Sequence, residues 1–350
     1  MSPESLGDGM RSVLIVVFAL LVLHCALSGD VMAQSGSSCF RIFSDIGNPL
    51  PGAFNCVLPF TGIIQCDLPG SQCPPVAAPI EHRCPDCEKG EPPTGGHPIS
   101  LATGNTFIVQ TDVKIPGISG GLTLVRTWNS LWPSTQTALQ TGMFGPNWRS
   151  TFEERVFIGS DNYIKYARGD GNFWSFAYDA SLRLVPAAPA NISATLTQGS
   201  TYWTLTFQNG EQRLFNTTSG SLTAIIDRNG NTTQLSYDSL NRLVTVTDPA
   251  SRHLTFTYAS SSSYLVTGVS SDVGLSLTYS YDTQGRLIQV TNPDLSTLNF
   301  TYNSQSLITA VTDTNGKVLE SHTYDSSGRG LTSARAGGVE ALTLTYPNPQ

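Results

Sequence analysis

The sequence is poor in charged side chains and lacks the basic excess that binds nucleic acid. Asp, Glu, Lys and Arg make up only 13% of its 350 residues, and the net charge is −7. Phosphate backbones are bound by clustered Lys and Arg, so this composition excludes nucleic acid as a partner. No segment beyond the N-terminal region has the periodicity of an amphipathic helix. The 32 Gly and 21 Pro residues, with abundant Ser and Thr, are instead typical of a turn-rich β protein.

Cysteine is absent beyond residue 87, and this confines any disulfides to one segment. One cysteine, Cys25, lies in the N-terminal apolar run. The other six are disulfide candidates: Cys39, Cys56, Cys66, Cys73, Cys84 and Cys87. In an exported chain this density predicts three disulfides, whose pairing the sequence leaves open. A zinc site or a redox pair at Cys84 and Cys87, beside His82, is a weaker alternative.

The N-terminus has the features of an export signal. Arg11 precedes an apolar run over residues 12–27, and Val31-Met32-Ala33 is a small-residue context for signal-peptide cleavage. A run of about 16 residues is shorter than the roughly 20 that span a bilayer. We therefore predict a signal peptide over residues 1–33 and a secreted or cell-surface protein. Membrane contact would come only through an uncleaved N-terminal segment, and lipidation at Cys25 is disfavoured because the bulky His24 precedes it.

The C-terminal part of the chain repeats itself. Tyrosines that close successive units are Tyr237, Tyr258, Tyr279, Tyr302, Tyr324 and Tyr346, separated by 21, 21, 23, 22 and 22 residues. A fixed period of roughly 20–50 residues is typical of arrays whose units bury apolar faces only against neighbours. The fullest copies share a signature: Tyr237, Asp238, Arg242, Tyr281, Asp282, Gly285, Arg286, Tyr324, Asp325, Gly328 and Arg329. Each unit is predicted to be two strands joined by a turn, such as Asp248-Pro249.

The recurrence of these polar residues favours a structural role over catalysis. A catalytic group is needed once, whereas a group present in every unit caps turns or packs. We expect the signature aspartates to accept hydrogen bonds from turn N–H groups. The arginines would pair with them or with carbonyls of a neighbouring unit.

Other candidate sites are weaker. The segment from Asp227 to Asn231 resembles the start of a calcium loop, but its glycine is misplaced, so a hairpin is favoured. No serine nucleophile motif stands near a histidine in sequence, which argues against a hydrolytic triad; the isolated histidines are His97, His253 and His322. Glu153 and Glu154, adjacent on a predicted strand, would face opposite sides rather than one cleft. We predict no enzyme activity and no cofactor.

The segment before the repeats also reads as β structure. Strands are predicted over residues 98–112, 122–130, 152–158, 163–167, 173–178, 202–207 and 212–215. Asp170-Gly171 and Asn209-Gly210 are dipeptides of tight hairpins.

The repeats resemble the YD repeat of the Rhs family, which includes bacterial Rhs and wall-associated proteins and the teneurin barrel. The best match is Tyr281-Asp282-Thr283-Gln284-Gly285-Arg286-Leu287. The preceding block is similar to the domain of unknown function that introduces Rhs repeats. It matches through Leu101-Ala102-Thr103-Gly104-Asn105, Arg126-Thr127-Trp128-Asn129-Ser130 and Gly145-Pro146-Asn147-Trp148. The resemblance covers residues 96–346.

The resemblance implies an all-β fold: an extended antiparallel, spiralling YD-repeat sheet, a partial Rhs-type shell. In many members the shell encloses a toxic C-terminal domain released by self-cleavage. This sequence stops at Gln350 without that core motif or a toxin domain, so neither activity is carried over, and an open sheet edge is expected near the C-terminus. Two units depart from the pattern. Ala259 replaces the aspartate after Tyr258, and Gly330 reads as an insertion before Leu331.

We predict four segments: a signal-peptide helix (1–33), an irregular Cys/Pro-rich disulfide-stapled segment with linker (34–95), an Rhs-introducing β domain (96–219) and YD/Rhs repeats (220–350). The expected function is a secreted or cell-surface, non-enzymatic scaffold that forms part of a larger shell. One alternative is a glycan- or protein-binding surface module. Another is the N-terminal part of a toxin-delivery protein, whose partners would be further Rhs-repeat sheet or a downstream toxin.

Overall fold

The computed structural model describes residues 54–57, 65–67, 94–95, 99–179, 183–188 and 192–346. The predicted signal peptide lies outside these residues, as do His97 and four candidate cysteines, namely Cys39, Cys73, Cys84 and Cys87. Cys56 lies on β1 (Phe54–Val57) and Cys66 on β2 (Gln65–Asp67), and these two strands pair antiparallel. The signal peptide and the disulfides therefore stay predictions.

The chain divides into two compact units, residues 1–76 and 77–350. Strands β1 and β2 belong to the first unit, and the remaining described strands belong to the second. Those before residue 190 are β3 (Thr94–Gly95), β4 (Ile99–Ser100), β5 (Phe107–Ile115), β6 (Leu122–Asn129), β7 (Thr141–Gly142), β8 (Gly145–Pro146), β9 (Trp148–Ser150), β10 (Arg155–Ile158), β11 (Ile164–Ala167), β12 (Phe173–Tyr178) and β13 (Leu184–Ala188). We call residues 99–188 the introductory segment.

Several small antiparallel sheets precede residue 190. Strand β3 pairs with β4, and β7 pairs with β8. Strands β5, β6 and β9 form a three-stranded sheet, and β10 to β13 form a four-stranded meander in chain order. The strand predicted over residues 173–178 has these bounds, and the predicted Asp170-Gly171 turn joins β11 to β12, with φ of +87° at Gly171.

One long sheet, which we call the repeat sheet, follows. Its strands are β14 (Ala194–Gln198), β15 (Tyr202–Phe207), β16 (Gln212–Asn216), β17 (Leu222–Ile226), β18 (Thr232–Tyr237), β19 (Leu243–Thr247), β20 (His253–Tyr258), β21 (Val266–Ser271), β22 (Ser276–Tyr281), β23 (Leu287–Thr291), β24 (Thr297–Tyr302), β25 (Ile308–Thr312), β26 (Val318–Tyr324), β27 (Gly330–Arg335) and β28 (Leu342–Thr343). All 15 strands lie in chain order, each paired with the next. The predicted all-β fold with an extended antiparallel sheet is confirmed. The sheet begins at β14, ahead of the boundary predicted at residue 220.

A β-bulge recurs on the first strand of successive two-stranded units in the repeat sheet. It explains why buried and exposed side chains do not strictly alternate along these strands. Ser236 pairs with Thr245 and Tyr237 pairs with Leu243, so Val244 is the extra residue on β19. The same shift occurs where β21, β23, β25 and β27 meet the preceding strand. Because a bulge moves later side chains to the other face, Leu243 and Val246 are both buried, at 4% and 0% exposure.

The buried face of the repeat sheet, which we call the inner face, is apolar along most units. In β20 it carries Leu254 and Phe256, while Thr255 and Thr257 on the other face are exposed. This alternation matches the sequence prediction for the strand. The structure contains only short 3-10 turns at Ile118–Gly120, Ser134–Leu139 and Ala336–Gly338 as helical elements among the described residues. None of these described helices is long and apolar enough to cross a membrane.

Candidate functional site

Each signature aspartate closes a turn in the repeat sheet. The Oδ1 atom of Asp238 accepts hydrogen bonds from the backbone N–H groups of Leu240 and Arg242, both 3.0 Å away. Asp282 and Asp325 make the same two bonds within their turns. The carboxylate therefore satisfies turn donors that no ladder partner reaches. The turn also needs one residue with positive φ, which Gly285 (+74°) and Gly328 (+81°) supply without strain.

The signature arginine links each turn to the next unit. Arg242 pairs with Oδ2 of Asp238 at 2.7 Å, and its guanidinium lies over the ring of Tyr258 at 4.5 Å. Arg286 lies over Tyr302 and Arg329 over Tyr346, at 4.9 and 4.2 Å. A guanidinium at this distance is attracted by the ring quadrupole. One arginine thus joins its own turn to the tyrosine that closes the following hairpin.

The tyrosine hydroxyls complete the link. Tyr258 donates to the carbonyl oxygen of Leu243 at 2.7 Å, one strand earlier in the sheet. The same bond is made by Tyr237, Tyr281, Tyr302, Tyr324 and Tyr346, at 2.6 to 2.7 Å. Burial raises the pKa of Tyr237, Tyr258, Tyr281, Tyr302 and Tyr324. These hydroxyls therefore stay protonated and able to donate.

Two details of the predicted repeat are wrong. Tyr281, rather than Tyr279, closes the third unit, because Tyr281 makes the shared carbonyl bond; Tyr279 is buried on the inner face. Gly330 is a substitution and no insertion, since it pairs with Tyr324 as Leu243 pairs with Tyr237. A Cβ at residue 330 would lie 2.4 Å from Oγ1 of Thr106 and 2.7 Å from Cδ1 of Ile99. The introductory segment thus fills the space that leucine occupies in other units.

The three sequence phrases of the introductory segment converge on one hydrogen-bond cluster. Asn105 donates from Nδ2 to Oδ1 of Asn129 at 2.8 Å, and its own Oδ1 accepts from the N–H of Leu131 at 3.0 Å. Asn147 donates from Nδ2 to the carbonyl oxygen of Asn129 at 2.7 Å. Asn129 in turn donates to the carbonyl oxygen of Asp170 at 3.0 Å. The phrases therefore hold distant loops together and present no free reactive group.

Glycines of these phrases permit close backbone contact with the repeat turns. Gly145 has a φ of +96° and lies close to the turn between β22 and β23. A Cβ at residue 145 would be 2.5 Å from the carbonyl oxygen of Gly285. The carbonyl oxygen of Gly104 accepts a hydrogen bond from the N–H of Gly330 at 2.8 Å. The introductory segment is therefore joined to the repeat sheet by backbone contacts at both positions.

Aromatic side chains of the introductory segment cover the inner face of the repeat sheet. Four pairs meet with ring centroids 4.9 to 6.4 Å apart: Trp128 with Tyr324, Phe144 with Tyr279, Trp148 with Phe300, and Phe152 with Phe256. Trp128, Phe144 and Trp148 are fully buried. Edge-to-face pairs in this distance range contribute beyond their buried area. The introductory segment thus supplies the apolar partner that the inner face needs.

A single buried ion pair lies within this aromatic layer. Arg126 is 0% exposed and binds the carboxylate of Asp112 through Nε and Nη2, while the hydroxyl of Tyr279 donates to the same carboxylate at 2.7 Å. The guanidinium lies 4.6 Å from the ring of Trp148. Burial alone would lower the pKa of Arg126, but Asp112 raises it overall. The arginine is therefore charged and fully enclosed.

Glu153 and Glu154 lie in the turn before β10 instead of on a strand, so their predicted setting is wrong. Their carboxylates nevertheless bind separate partners: Glu153 accepts from the N–H of Met143 at 2.6 Å, and Glu154 accepts from the hydroxyl of Tyr166 at 2.7 Å. Glu154 lines a cavity of about 380 Å³ with Tyr166, Arg168, Asp170, Glu211 and Arg213. Sequence reasoning missed this cavity because its walls come from β6, from the segment between β9 and β10, from β11 and the turn after it, and from the hairpin of β15 and β16.

The last units carry polar residues at inner-face positions. Glu320 and His322 are 7% and 2% exposed, with Oε2 and Nε2 3.5 Å apart, and Ser333 pairs with His322 across β26 and β27. This grouping of serine, histidine and glutamate was missed because Ser333 adjoins them only through sheet register. All three are buried. His253 is exposed and lies 3.0 Å from the hydroxyl of Thr247.

The segment from Asp227 to Asn231 forms the hairpin turn between β17 and β18. Oδ1 of Asp227 accepts from the N–H groups of Asn229 and Asn231 at 2.8 and 2.9 Å, which caps the turn, and Oδ2 accepts from the hydroxyl of Ser119 at 2.6 Å. Within the part of the chain that the structure describes, no group of three or more His, Cys, Asp or Glu residues is arranged to hold a metal ion.

Comparisons with known proteins agree with the order of these segments. A family model described as Domain of unknown function (DUF6531) matches residues 96–176. A model described as RHS Repeat matches residues 217–253 and 265–297. The tRNA nuclease WapA of Bacillus subtilis (strain 168) is 30% identical over 145 residues, which are 41% of this chain and 6% of the relative. A tRNA3(Ser)-specific nuclease WapA of Bacillus spizizenii matches with the same identity and coverage.

Solved structures with similarity to the chain include components of Tc toxins. A crystal structure of TcdB2-TccC3 without its hypervariable C-terminal region has 13% identity and a TM-score of 0.27, over 71% of this chain and 13% of that one. The Tc holotoxin pore of Photorhabdus luminescens has 12% identity and a TM-score of 0.23, over 63% and 14%. The family matches and the repeat geometry agree: a segment that matches DUF6531 is followed by segments that match RHS repeats, which is the order found in Rhs/YD-repeat proteins.

Proposed function

We propose that this protein is an exported, non-enzymatic scaffold that forms part of a larger Rhs-type wall. The observation that carries the proposal is the repeated link of aspartate, arginine and tyrosine. It commits the polar residues that the fullest units share to joining neighbouring hairpins. The buried aromatic layer of the introductory segment supports the same role, since it makes the sheet a packed wall.

Export is tested by expressing the chain with its own N-terminus and fractionating the cells. We expect the protein outside the cytoplasm, beginning at Gln34, because the apolar run of residues 12–27 has the length of a signal sequence and Val31-Met32-Ala33 is a cleavage context. A cytoplasmic protein that begins at Met1 would contradict export. When the protein is alkylated without prior reduction, the six cysteines of residues 34–95 should stay unmodified, since they are proposed to form disulfides.

The absence of catalysis is tested against the activity named for the curated relatives. The purified chain, incubated with total tRNA, is expected to leave it intact, because the matched 145 residues make up only 6% of the WapA relative. Cleavage of tRNA that persists in independent preparations would overturn the non-enzymatic proposal. A mock preparation from cells that lack the gene identifies contaminating nuclease.

A second proposal is that this chain serves as the scaffold of a toxin-delivery protein, with the effector encoded downstream. The names of the curated relatives as tRNA nucleases favour it, and a further repeat sheet or a downstream toxin would then be the partner. The nucleotide sequence after the codon of Gln350 tests this proposal. An in-frame continuation or an adjacent toxin-like reading frame supports it, and unrelated flanking genes contradict it.

A further inference from the structure

A polar cavity lies where the introductory segment meets the hairpin of β15 and β16, and the scaffold role does not use it. Its volume is about 380 Å³, within the range of sites for small molecules. Glu154, Tyr166 and Arg168 contribute from the introductory segment, whereas Asn209 and Arg213 contribute from the hairpin of β15 and β16. The cavity is therefore shaped by both parts of the fold.

The charged groups around this cavity do not balance. Three carboxylates line it, those of Glu154, Asp170 and Glu211, against the two guanidinium groups of Arg168 and Arg213. Arg213 pairs with both Glu154 and Glu211, and Arg168 pairs with Asp170 at 3.1 Å. Because one arginine is shared between two carboxylates, one negative charge has no positive partner among the residues that line the cavity.

Glu154 is the carboxylate with an oxygen to spare. Its side chain is nine-tenths buried, and both of its hydrogen bonds end on Oε2: from the hydroxyl of Tyr166 at 2.7 Å and from Nε of Arg213 at 3.2 Å. Burial raises the pKa of this carboxyl, against the lowering effects of Arg213, of the Tyr166 hydroxyl and of Arg168. The second oxygen, Oε1, is left for a donor that enters the cavity.

We propose that this cavity binds a small organic ammonium ion, whose N–H groups donate to Oε1 of Glu154. A cation supplies the missing positive charge, and a charge-assisted hydrogen bond is stronger than a neutral one. The rings of Tyr166 and Phe207 line the same space and suit the alkyl part of such an ion. An anion is disfavoured by the net charge, and a neutral hydroxylated compound would leave that charge uncompensated.

Isothermal titration of the full-length protein with n-butylammonium chloride tests the proposal. We expect saturable binding of the ammonium ion and none of n-butanol, which matches its shape without the charge. Methyl glucoside is titrated as the neutral hydroxylated competitor. Binding of n-butanol or methyl glucoside without the ammonium ion would overturn the proposal, as would the lack of saturable ammonium binding.

Three variants locate the site. Glu154→Gln keeps the side-chain size and removes the charge, so it should weaken ammonium binding at least about tenfold. Glu340→Gln makes the same change at an exposed residue paired with Arg335 outside the cavity, and should leave binding unchanged. Equal affinity of the Glu154→Gln protein and the wild type would contradict the assignment of the site.

The third variant adds charge and does not depend on a buried change. Asn209→Asp stays at the exposed rim, where Oδ1 of residue 209 accepts from the N–H of Glu211 at 3.0 Å. The added carboxylate should tighten ammonium binding about threefold by its Coulomb attraction. If circular dichroism shows that the Glu154→Gln protein is unfolded, the Asn209→Asp titration tests the site instead. Unchanged or weaker ammonium binding by Asn209→Asp would then contradict the proposal.

Discussion

The introductory segment and the repeat sheet use the same three residue types, aspartate, arginine and tyrosine, in opposite ways. In the introductory segment, Asp112 and Arg126 meet Tyr279 in a fully buried group that occurs once. In the repeat sheet, the trio recurs as Asp238, Arg242 and Tyr258, at the partly exposed ends of the strands. Burial decides how much stability is lost when one partner of the pair is removed. An enclosed charge depends on its partner, whereas a half-exposed charge is also stabilised by water.

The comparison shows that repeated contacts and contacts that occur once should differ in their sensitivity to mutation. Each repeat link is weak and is made three times along the sheet, by Arg242, Arg286 and Arg329, so the loss of one leaves the others in place. The buried group of Arg126 has no second copy and lies between the two parts of the fold. The largest effects of mutation should therefore fall on the introductory segment.

The first prediction concerns the buried arginine. Arg126→Met removes the cation that faces Asp112 inside the aromatic layer and leaves this carboxyl only the hydroxyl of Tyr279. It should lower the free energy of unfolding by about 3–5 kcal/mol. Urea denaturation followed by tryptophan fluorescence measures the loss. The matched control is Arg183→Met, whose side chain is 76% exposed and pairs with Asp179, and which should change stability by less than about 1 kcal/mol. Equal losses in the two variants would contradict the contrast.

The second prediction concerns the glycine that replaces leucine in the last unit. Gly330→Leu restores the repeat consensus but drives a side chain into Ile99 and Thr106, so overpacking should cost about 1–3 kcal/mol. The same denaturation experiment measures the cost. Ile99→Ala in the Gly330→Leu background should recover part of it by making room. A stabilised Gly330→Leu protein would show that the introductory segment does not fill this position.

The third prediction concerns a capped turn and its dependence on pH. Asp248 has a fully buried side chain and accepts from Arg252 and from turn N–H groups, so Asp248→Ala should cost about 2 kcal/mol at pH 7. Burial alone would raise the pKa of Asp248, but the bonds from Arg252 lower it overall. The contribution should therefore be present above about pH 4, the unfolded value, and be lost as pH falls through the folded pKa.

Melting temperatures of the wild type and Asp248→Ala at pH 7, 5 and 3 give this dependence. The difference between them should narrow at pH 3. Asp294→Ala serves as control, because Asp294 is exposed and bonds only to Ser296. A gap between wild type and Asp248→Ala that widens at low pH would contradict the assigned direction of the pKa.

The smallest effect is expected from a single tyrosine hydroxyl. Tyr302→Phe removes the bond to the carbonyl oxygen of Leu287 and keeps the ring beneath Arg286, so it should cost about 1 kcal/mol. Tyr264→Phe is the control, since Tyr264 is 58% exposed and its hydroxyl is open to water. Equal denaturation midpoints for the two variants would contradict a stabilising contribution of the Tyr302 hydroxyl.

The sequence predicts the β class, the hairpins and the capping role of the aspartates because these depend on local chemistry that recurs. Asn209-Gly210 and Asp170-Gly171 form turns with positive φ at the glycine, as dipeptide preference requires. The error at Tyr279 has a physical cause: Thr278-Tyr279 and Ser280-Tyr281 look alike in sequence, and only the bulge decides which tyrosine ends the strand.

Contacts between distant segments could not be predicted. Nothing in the sequence places Arg126 beneath Tyr279 or Ile99 beside Gly330, because these pairs depend on how the introductory segment lies on the inner face. The cavity around Glu154 has the same origin, since its walls are separated by tens of residues in the chain. Such contacts follow from packing rather than from local propensity.

The central claim is that the introductory segment forms the core partner of the repeat sheet, and a double-mutant cycle between Trp148 and Phe300 tests it most directly. Their rings meet edge to face at 5.4 Å, so Trp148→Leu and Phe300→Leu should couple by about 1 kcal/mol in the free energy of unfolding. A coupling of that size is the result we predict. Strictly additive losses would contradict the account, because they would mean that the two rings do not touch in the folded protein.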